Sequence, residues 1–394
     1  MRREVRTVAE IRTCRPGFRE PGRSNDVRLP TMPLRPANPS KKPGAPRTAA
    51  AISSSTLSLV ACLLGAAAGT SPAAADTYVK QYGSPAVDRW NYPFNPTPGT
   101  RITASTFGNE PGSPLFDNRD GQFIVGFNTG ADIPTGLGAA QYQIASCVVE
   151  ITYANDFVVE YDPTVDPYTA FLPPSDPEYV EDEDAGQPIE LYGTGFRNGF
   201  SLANWNETSP FAPAGTDILQ PGVRNAYAVA RNASGAWVDV SSSVRARTTP
   251  TPFAVGLIAD LKPGSLVPIG SVARFELDCA RPDVQEYLRN AIDTGRLRLT
   301  VSSLTKVVQQ GGNYPQFYCR ENPIVVVTGV GDATLSIEVT TASCEPADLD
   351  CDGSVSAADL SLLLASWGTA GPGDLDGDGS VGAADLSLLL AAWN

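Results

Sequence analysis

Between residues 76 and 343 the chain is a succession of short apolar or alternating runs separated by Pro, Gly, Asn and Asp. Alternation with a period of two places apolar side chains on one face of an extended segment. Strands are therefore predicted at 122–127, 147–152, 253–259, 272–277, 296–304, 324–327 and 334–340. One stretch has a helical period instead: Pro282 stands near the first turn, Val284, Tyr287, Leu288 and Ile292 share a face, and Gly295 ends the run. Many short strands with turn residues between them predict a mainly β body, a β-sandwich or jelly roll, with this one clear helix closing an end or edge. Pro163, Pro167, Pro173, Pro174 and Pro177 make 162–188 a long loop, which also carries Glu181-Asp182-Glu183-Asp184, read either as a solvated run or as an extra cation site. A split of the body into two sandwiches near 205–222 stays open.

A different pattern begins at Asp348. The string DLDCDGSVSAADLSLLLASW returns 26 residues later as DLDGDGSVGAADLSLLLAAW, two copies of one supersecondary unit. Asp348, Asp350 and Asp352 stand at positions 1, 3 and 5 of a calcium-loop pattern, with Gly353 at 6, Ser354 at 7 and Asp359 at 12. Asp374, Asp376, Asp378, Gly379, Ser380 and Asp385 repeat the arrangement. Alternating carboxylates suit a hard cation that takes about six to eight oxygens, glycine allows the sharp turn, and position 7 contributes its backbone carbonyl. Aspartate at position 12, where a regular EF-hand has glutamate, shortens the last ligand's reach. At position 8, Val355 and Val381 are expected to pair with each other. Behind each loop the period turns helical: Leu360, Leu363, Leu364 and Trp367, then Leu386, Leu389, Leu390 and Trp393, form two apolar stripes expected to pack together. Two calcium ions, one per loop, are expected.

These loop-helix repeats resemble the type I dockerin module, over about 50 of the 394 residues. The resemblance implies a small all-α module over 344–394 that folds with calcium, a pseudo-twofold pair of helices, and docking of an exported protein onto a cohesin-like or cell-envelope partner. The chain departs from the family at loop positions 10 and 11, where Ala357-Ala358 and Ala383-Ala384 replace a hydroxylated pair, and it has no Lys or Arg after Arg320. The body, through Asp76-Thr77-Tyr78-Val79, Val125-Gly126-Phe127 to Ile133-Pro134, and Tyr287-Leu288 to Leu297-Arg298-Leu299, resembles jelly-roll carbohydrate-binding-like domains of exported bacterial surface proteins. That resemblance implies a polysaccharide ligand, for which Trp90, Tyr92, Phe94, Trp205 and Trp237 are candidate stacking platforms alongside their reading as core.

The front of the chain changes where this fold would act. Lys, Arg and Pro up to Arg47 give way to an apolar stretch, 49–69, and to Ser71-Pro72-Ala73-Ala74-Ala75 before Asp76, the pattern of a secretory signal cut after Ala75. Residues 1–75 are thus a signal segment; a start at Met32 would leave 1–31 untranslated, and a lipobox ending at Cys62 is the rival reading. No second long apolar stretch follows, so the protein is not expected to be integral to a membrane. Residues 1–75 carry a net charge of +8 and the remainder −22, which disfavours nucleic acid and favours cations. Export leaves Cys147, Cys279, Cys319, Cys344 and Cys351 in an oxidising compartment, an odd set in which Cys344 and Cys351 are near enough for a local clasp and the other pairings stay open.

The sequence contains no histidine, which excludes Ser-His-Asp, Cys-His and HExxH chemistry. A glycosidase needs only two carboxylates, and Glu150, Glu160, Glu190 and Glu276 offer acids without a pattern that marks a pair. The expected function is a secreted, extracellular or cell-surface binding protein without catalysis, docked through its tail and contacting polysaccharide through its body. The alternatives are a polysaccharide-degrading O-glycosyl hydrolase carried by the same tail, and a passive structural surface component.

Overall fold

The computed structural model describes residues 75–110, 112–245, 251–307, 313–341, 345–350, 354–371 and 373–394. Residues 1–74, which hold nearly all of the expected signal segment with Cys14, Met32 and Cys62, and likewise Cys344, Cys351, Asp352 and Gly353, lie outside them. Among the described residues the strands are β1 (Asp76–Tyr82), β2 (Val87–Asn91), β3 (Thr103–Ser105), β4 (Phe107–Gly108), β5 (Arg119–Asn128), β6 (Tyr142–Thr152) and β7 (Glu190–Phe196). They continue as β8 (Ala226–Arg231), β9 (Trp237–Asp239), β10 (Ala254–Val255), β11 (Val272–Glu276), β12 (Arg296–Ser302), β13 (Gln316–Tyr318) and β14 (Thr334–Thr341). The helices are α1 (Tyr168–Phe171), α2 (Pro282–Asp293), α3 (Pro323–Thr328), α4 (Ala357–Ala365) and α5 (Ala383–Ala391). None is long and apolar enough to cross a membrane.

The body is mainly β, and its strand pairs are antiparallel. A four-stranded sheet runs β1-β14-β6-β11; a larger one runs β2-β5-β12-β7-β8-β9, with β10 against β7 and β4 against β5. Their inner faces meet in one core, to which β5 contributes Phe123, Val125 and Phe127, β12 Leu297, Leu299 and Val301, β6 Val149 and Ile151, and β14 Leu335, Ile337 and Val339. The segment 197–225 is an excursion between β7 and β8, which pair with each other in the larger sheet. Trp205 from this excursion is buried against Val87, Ile124 and Ala226 on that sheet's other face. Burial on both faces explains why β5 is covered along nearly its whole length.

A bulge sets the phase of β6. The register shifts opposite Glu338 and Val339, from Ser146 to Ile144, so inward positions change from 142 and 144 to 147, 149 and 151. Because β11 pairs only with Val148–Thr152, the edge at Ile144 lacks a strand. Helix α2 supplies the partner: Gln285 Oε1 accepts the Ile144 amide (2.9 Å) and Nε2 donates to the Ile144 carbonyl (2.8 Å). The predicted face of α2 packs inward, with Val284, Leu288 and Ile292 buried and Tyr287 partly so. Gly295, at φ +69°, ends the turn after α2, where a Cβ would meet Gly130 Cα at 2.9 Å.

Two predicted strands differ. The segment 253–259 forms a strand only at β10, followed by a single bridge from Leu257 to Arg274. The β-branched run 324–327 is helical in α3, because its ends decide it: Asn322 caps the helix by accepting the Ile324 amide (2.9 Å), Pro323 occupies the first turn, and Gly329 closes it in a left-handed conformation. Val326 and Val327 are exposed, so no sheet face recruits them.

The tail comprises two loops, α4 and α5, around a small core of Val355, Leu363, Val381, Leu389 and Ala347, with Leu360 and Leu386 partly covered. The stripes divide lengthwise. Leu364 (51% exposed), Leu390 (52%), Trp367 and Trp393 face outward, since the contact between two nine-residue helices covers only the first half of each stripe.

Candidate metal centre

In the second loop, oxygens of Asp374, Asp376 and Asp378 lie within 4.8 Å of one another. The chain winds around Asp374, whose Oδ1 accepts the amides of Gly377 (2.9 Å) and Asp378 (3.1 Å) and whose Oδ2 accepts that of Gly379 (2.8 Å). Gly379 sits at φ +98°, the conformation that requires glycine at position 6. Asp378 Oδ1 accepts the amide (2.9 Å) and hydroxyl (3.2 Å) of exposed Ser380. Asp385 reaches back from the first turn of α5, buried, to accept the amides of Leu375 (2.7 Å), Asp376 (3.1 Å) and Gly382 (2.6 Å). The Gly382 amide foremost, with those of Asp376 and Leu375, holds its carboxyl below the usual range. Asp385 thus braces the loop beside the triplet formed by positions 1, 3 and 5.

The first loop brings Asp348, Asp350 and Asp359 within the same 4.8 Å, while Asp352 lies outside the described residues and Ser354 is exposed. Asp359 is fully buried and accepts the amides of Asp350 (3.1 Å) and Ser356 (2.7 Å). Burial raises its pKa, but those amides outweigh it, so the carboxyl lies below its ordinary value. Ser356 Oγ accepts the Ala358 amide (3.2 Å), completing a capping box that starts α4. The Ser-x-x-Asp spacing announces this cap, a role for position 12 that the calcium-loop pattern alone does not suggest.

Position 8 behaves differently from expectation. Val355 and Val381 share the tail's core, but among the described residues neither backbone pairs with the other. The Val381 carbonyl accepts from Gly368 N (2.8 Å), just past α4, and the Val355 carbonyl accepts from Asn394 N (3.2 Å), just past α5. These two bonds are equivalent under the 26-residue repeat. Each loop is fastened to the end of the other repeat's helix.

The donor set tests the fit of a cation. Both clusters are built from carboxylates alone, the module has no Lys or Arg to neutralise them, and backbone amides already orient the acids at position 12. Oxygen donors without nitrogen or sulfur fit a hard ion such as calcium.

In the body the candidate aromatics separate. Trp205 is buried core, correcting its reading as a platform, and Trp237 is half-buried against Phe253 and Tyr287. Trp90, half-buried against the core with Arg101 over its ring, stacks on Tyr92 (4.8 Å), Tyr92 meets Phe94, and Phe94 (51% exposed) meets Phe116, so the run of rings reaches the surface at Phe94. Phe116 borders a shallow cavity of about 420 Å³ also lined by Ser113, Asp176, Ser242 and Arg245.

Three of the candidate acids hold structural positions. Glu190 is buried in a two-point ion pair with Arg119, and Glu150 and Glu276 both pair with Arg274 at the surface; Glu160 is exposed, its backbone bridging to that of Leu266. Asp88, Glu207 and Glu321 converge, but each engages Arg320 and the Asp88 side chain has no exposed surface. Cys147, Cys279 and Cys319 are free thiols; burial pushes Cys279 up to about 11 and the other two well above their ordinary value. Compared with protein-family models and with curated proteins, the chain matches none.

Proposed function

We propose that this is an exported binding protein whose C-terminal module folds around two calcium ions and docks the chain at a surface or extracellular assembly, while the β body contacts polysaccharide. The observation that carries this reading is the pair of carboxylate triplets in equivalent loops 26 residues apart. Asp348, Asp350, Asp352 and Asp359 would hold one ion and Asp374, Asp376 and Asp378 the other, with Asp385 bracing its loop and the carbonyls of Ser354 and Ser380 as further donors. Bound calcium supplies the positive charge that nine acidic residues in 344–394 otherwise lack. The module is similar in pattern to a dockerin, and the outward Leu364, Trp367, Leu390 and Trp393 offer an apolar surface of the kind a protein partner covers. For the body, the run from Trp90 to Phe94 supports stacking on sugar rings.

Calcium titration of the mature chain, read as bound ions and as amide protection of α4 and α5, tests the tail. Two ions with protection appearing alongside them are expected, and unchanged protection in chelator overturns the reading. Affinity for a glycan panel, measured on a chain ending at residue 343, tests the body. Binding lost on Phe94→Ala supports it; release of reducing sugar would replace it with the hydrolase, and neither binding nor release with a structural role.

A further inference from the structure

The loop 162–188 brings Asp184 back against two acids near its start, Asp162 and Asp166. Oxygens of Asp162, Asp166 and Asp184 lie within 4.8 Å of one another. Asp162 is 3% exposed, and its Oδ2 is buried with no hydrogen-bond partner. Its Oδ1 accepts the Thr164 amide (2.8 Å) and faces Thr164 Oγ1 at 2.7 Å, while the same hydroxyl lies 2.7 Å from Asp184 Oδ2. A hydroxyl has one proton, so with Asp162 and Asp184 both ionised one of these two contacts sets oxygen against oxygen with nothing between them. Asp166 Oδ2 accepts from Gln187 Nε2 (2.8 Å). Among the described residues no Lys or Arg forms an ion pair with these acids or with neighbouring Asp182.

A buried carboxylate oxygen without a donor, beside two further carboxylates and a hydroxyl short of a proton, is a site missing a positive charge. We infer that this cluster binds a divalent cation of the calcium class, independently of the tail, and that the ion ties the two ends of the loop together. All the donors are oxygens, which favours calcium over thiolate- or imidazole-seeking metals. The site stands on a firm base. The Tyr161 amide, adjoining Asp162, donates to the Ser265 carbonyl (2.8 Å), and β7 begins six residues after Asp184. The ion therefore joins two anchored ends, leaving 167–183 as a closed excursion.

Hydrogen exchange on the mature chain, localised to peptides covering 162–188, tests this with calcium chloride, magnesium chloride or chelator alone. With free calcium at about ten times the dissociation constant, amides near Thr164 and Gln187 should exchange about tenfold more slowly than in chelator. The effect should persist in Asp350→Asn/Asp376→Asn, which disables the tail loops, so failure of the tail reading and of this one are separable. Asp184→Asn, at an exposed position, and Asp162→Asn, which conserves volume, should each reduce the calcium effect to less than about threefold. Equal exchange in calcium and chelator, or an effect surviving both substitutions, overturns the site.

Discussion

Truncating Leu389 to alanine should weaken the tail's apparent calcium affinity, whereas truncating Leu364 should barely do so, although the repeat makes both part of an apolar stripe. Leu389 has no exposed surface and sits among five buried residues, so its loss removes transfer energy and opens a hole in a core too small to refill it. The expected cost is about 3 kcal/mol. Leu364 is already half in water, and its truncation should cost no more than about 1 kcal/mol. If folding of the tail takes up two ions, its folding equilibrium constant follows the square of calcium concentration. Three kilocalories then raise the midpoint about tenfold, and one kilocalorie about twofold. The assay is amide exchange of α5 across calcium buffers, in a chain beginning at Asp76. Equal shifts for the two variants would refute the division of the stripe into covered and uncovered halves; no midpoint in the parent chain would refute the coupling.

Arg224→Met should destabilise the body by about 3–5 kcal/mol in urea unfolding, because it strands Asp117 and Asp120 beneath the excursion 197–225, where Arg224 is wholly buried. Asn322→Ala removes the cap of α3 and should cost about 1 kcal/mol, with Asn322→Asp largely restoring it. Burial pushes Asp88 up to about 8 and Asp120 to about 7, so the folded body binds protons that the unfolded chain has released above about pH 4. Its stability should fall as pH rises from about 4 to 8, less steeply in Asp88→Asn, as unfolding midpoints in chelator would register.

The strands at 122–127, 272–277 and 334–340 are legible because alternation reports a sheet face directly, and their observed limits differ by a few residues at most. Four β-branched residues at 324–327 misled the same rule, since Asn322, Pro323 and Gly329 outvoted them from outside the window. Glycine at position 6 and the spaced aspartates made the second loop's triplet readable. That Asp385 serves as a brace, and that Val355 and Val381 find partners beyond the helices, depends on how the repeats fold onto each other, which no single repeat encodes. Asp162, Asp166 and Asp184 converge through a closure of the loop that has no period at all; the acidic run at 181–184 hinted at a cation without revealing which distant acids would meet it.

The bonds from Gly368 to Val381 and from Asn394 to Val355 interlace the two halves of the tail. An ion bound in one loop would firm the valine segment that anchors the opposite helix, so occupancy of either site should lower the free energy needed to order the other. The binding isotherm should accordingly be steeper than that of two independent sites. A chain carrying a single repeat would lose the anchor for its own valine, so either repeat alone should stay unordered where the interlaced pair orders.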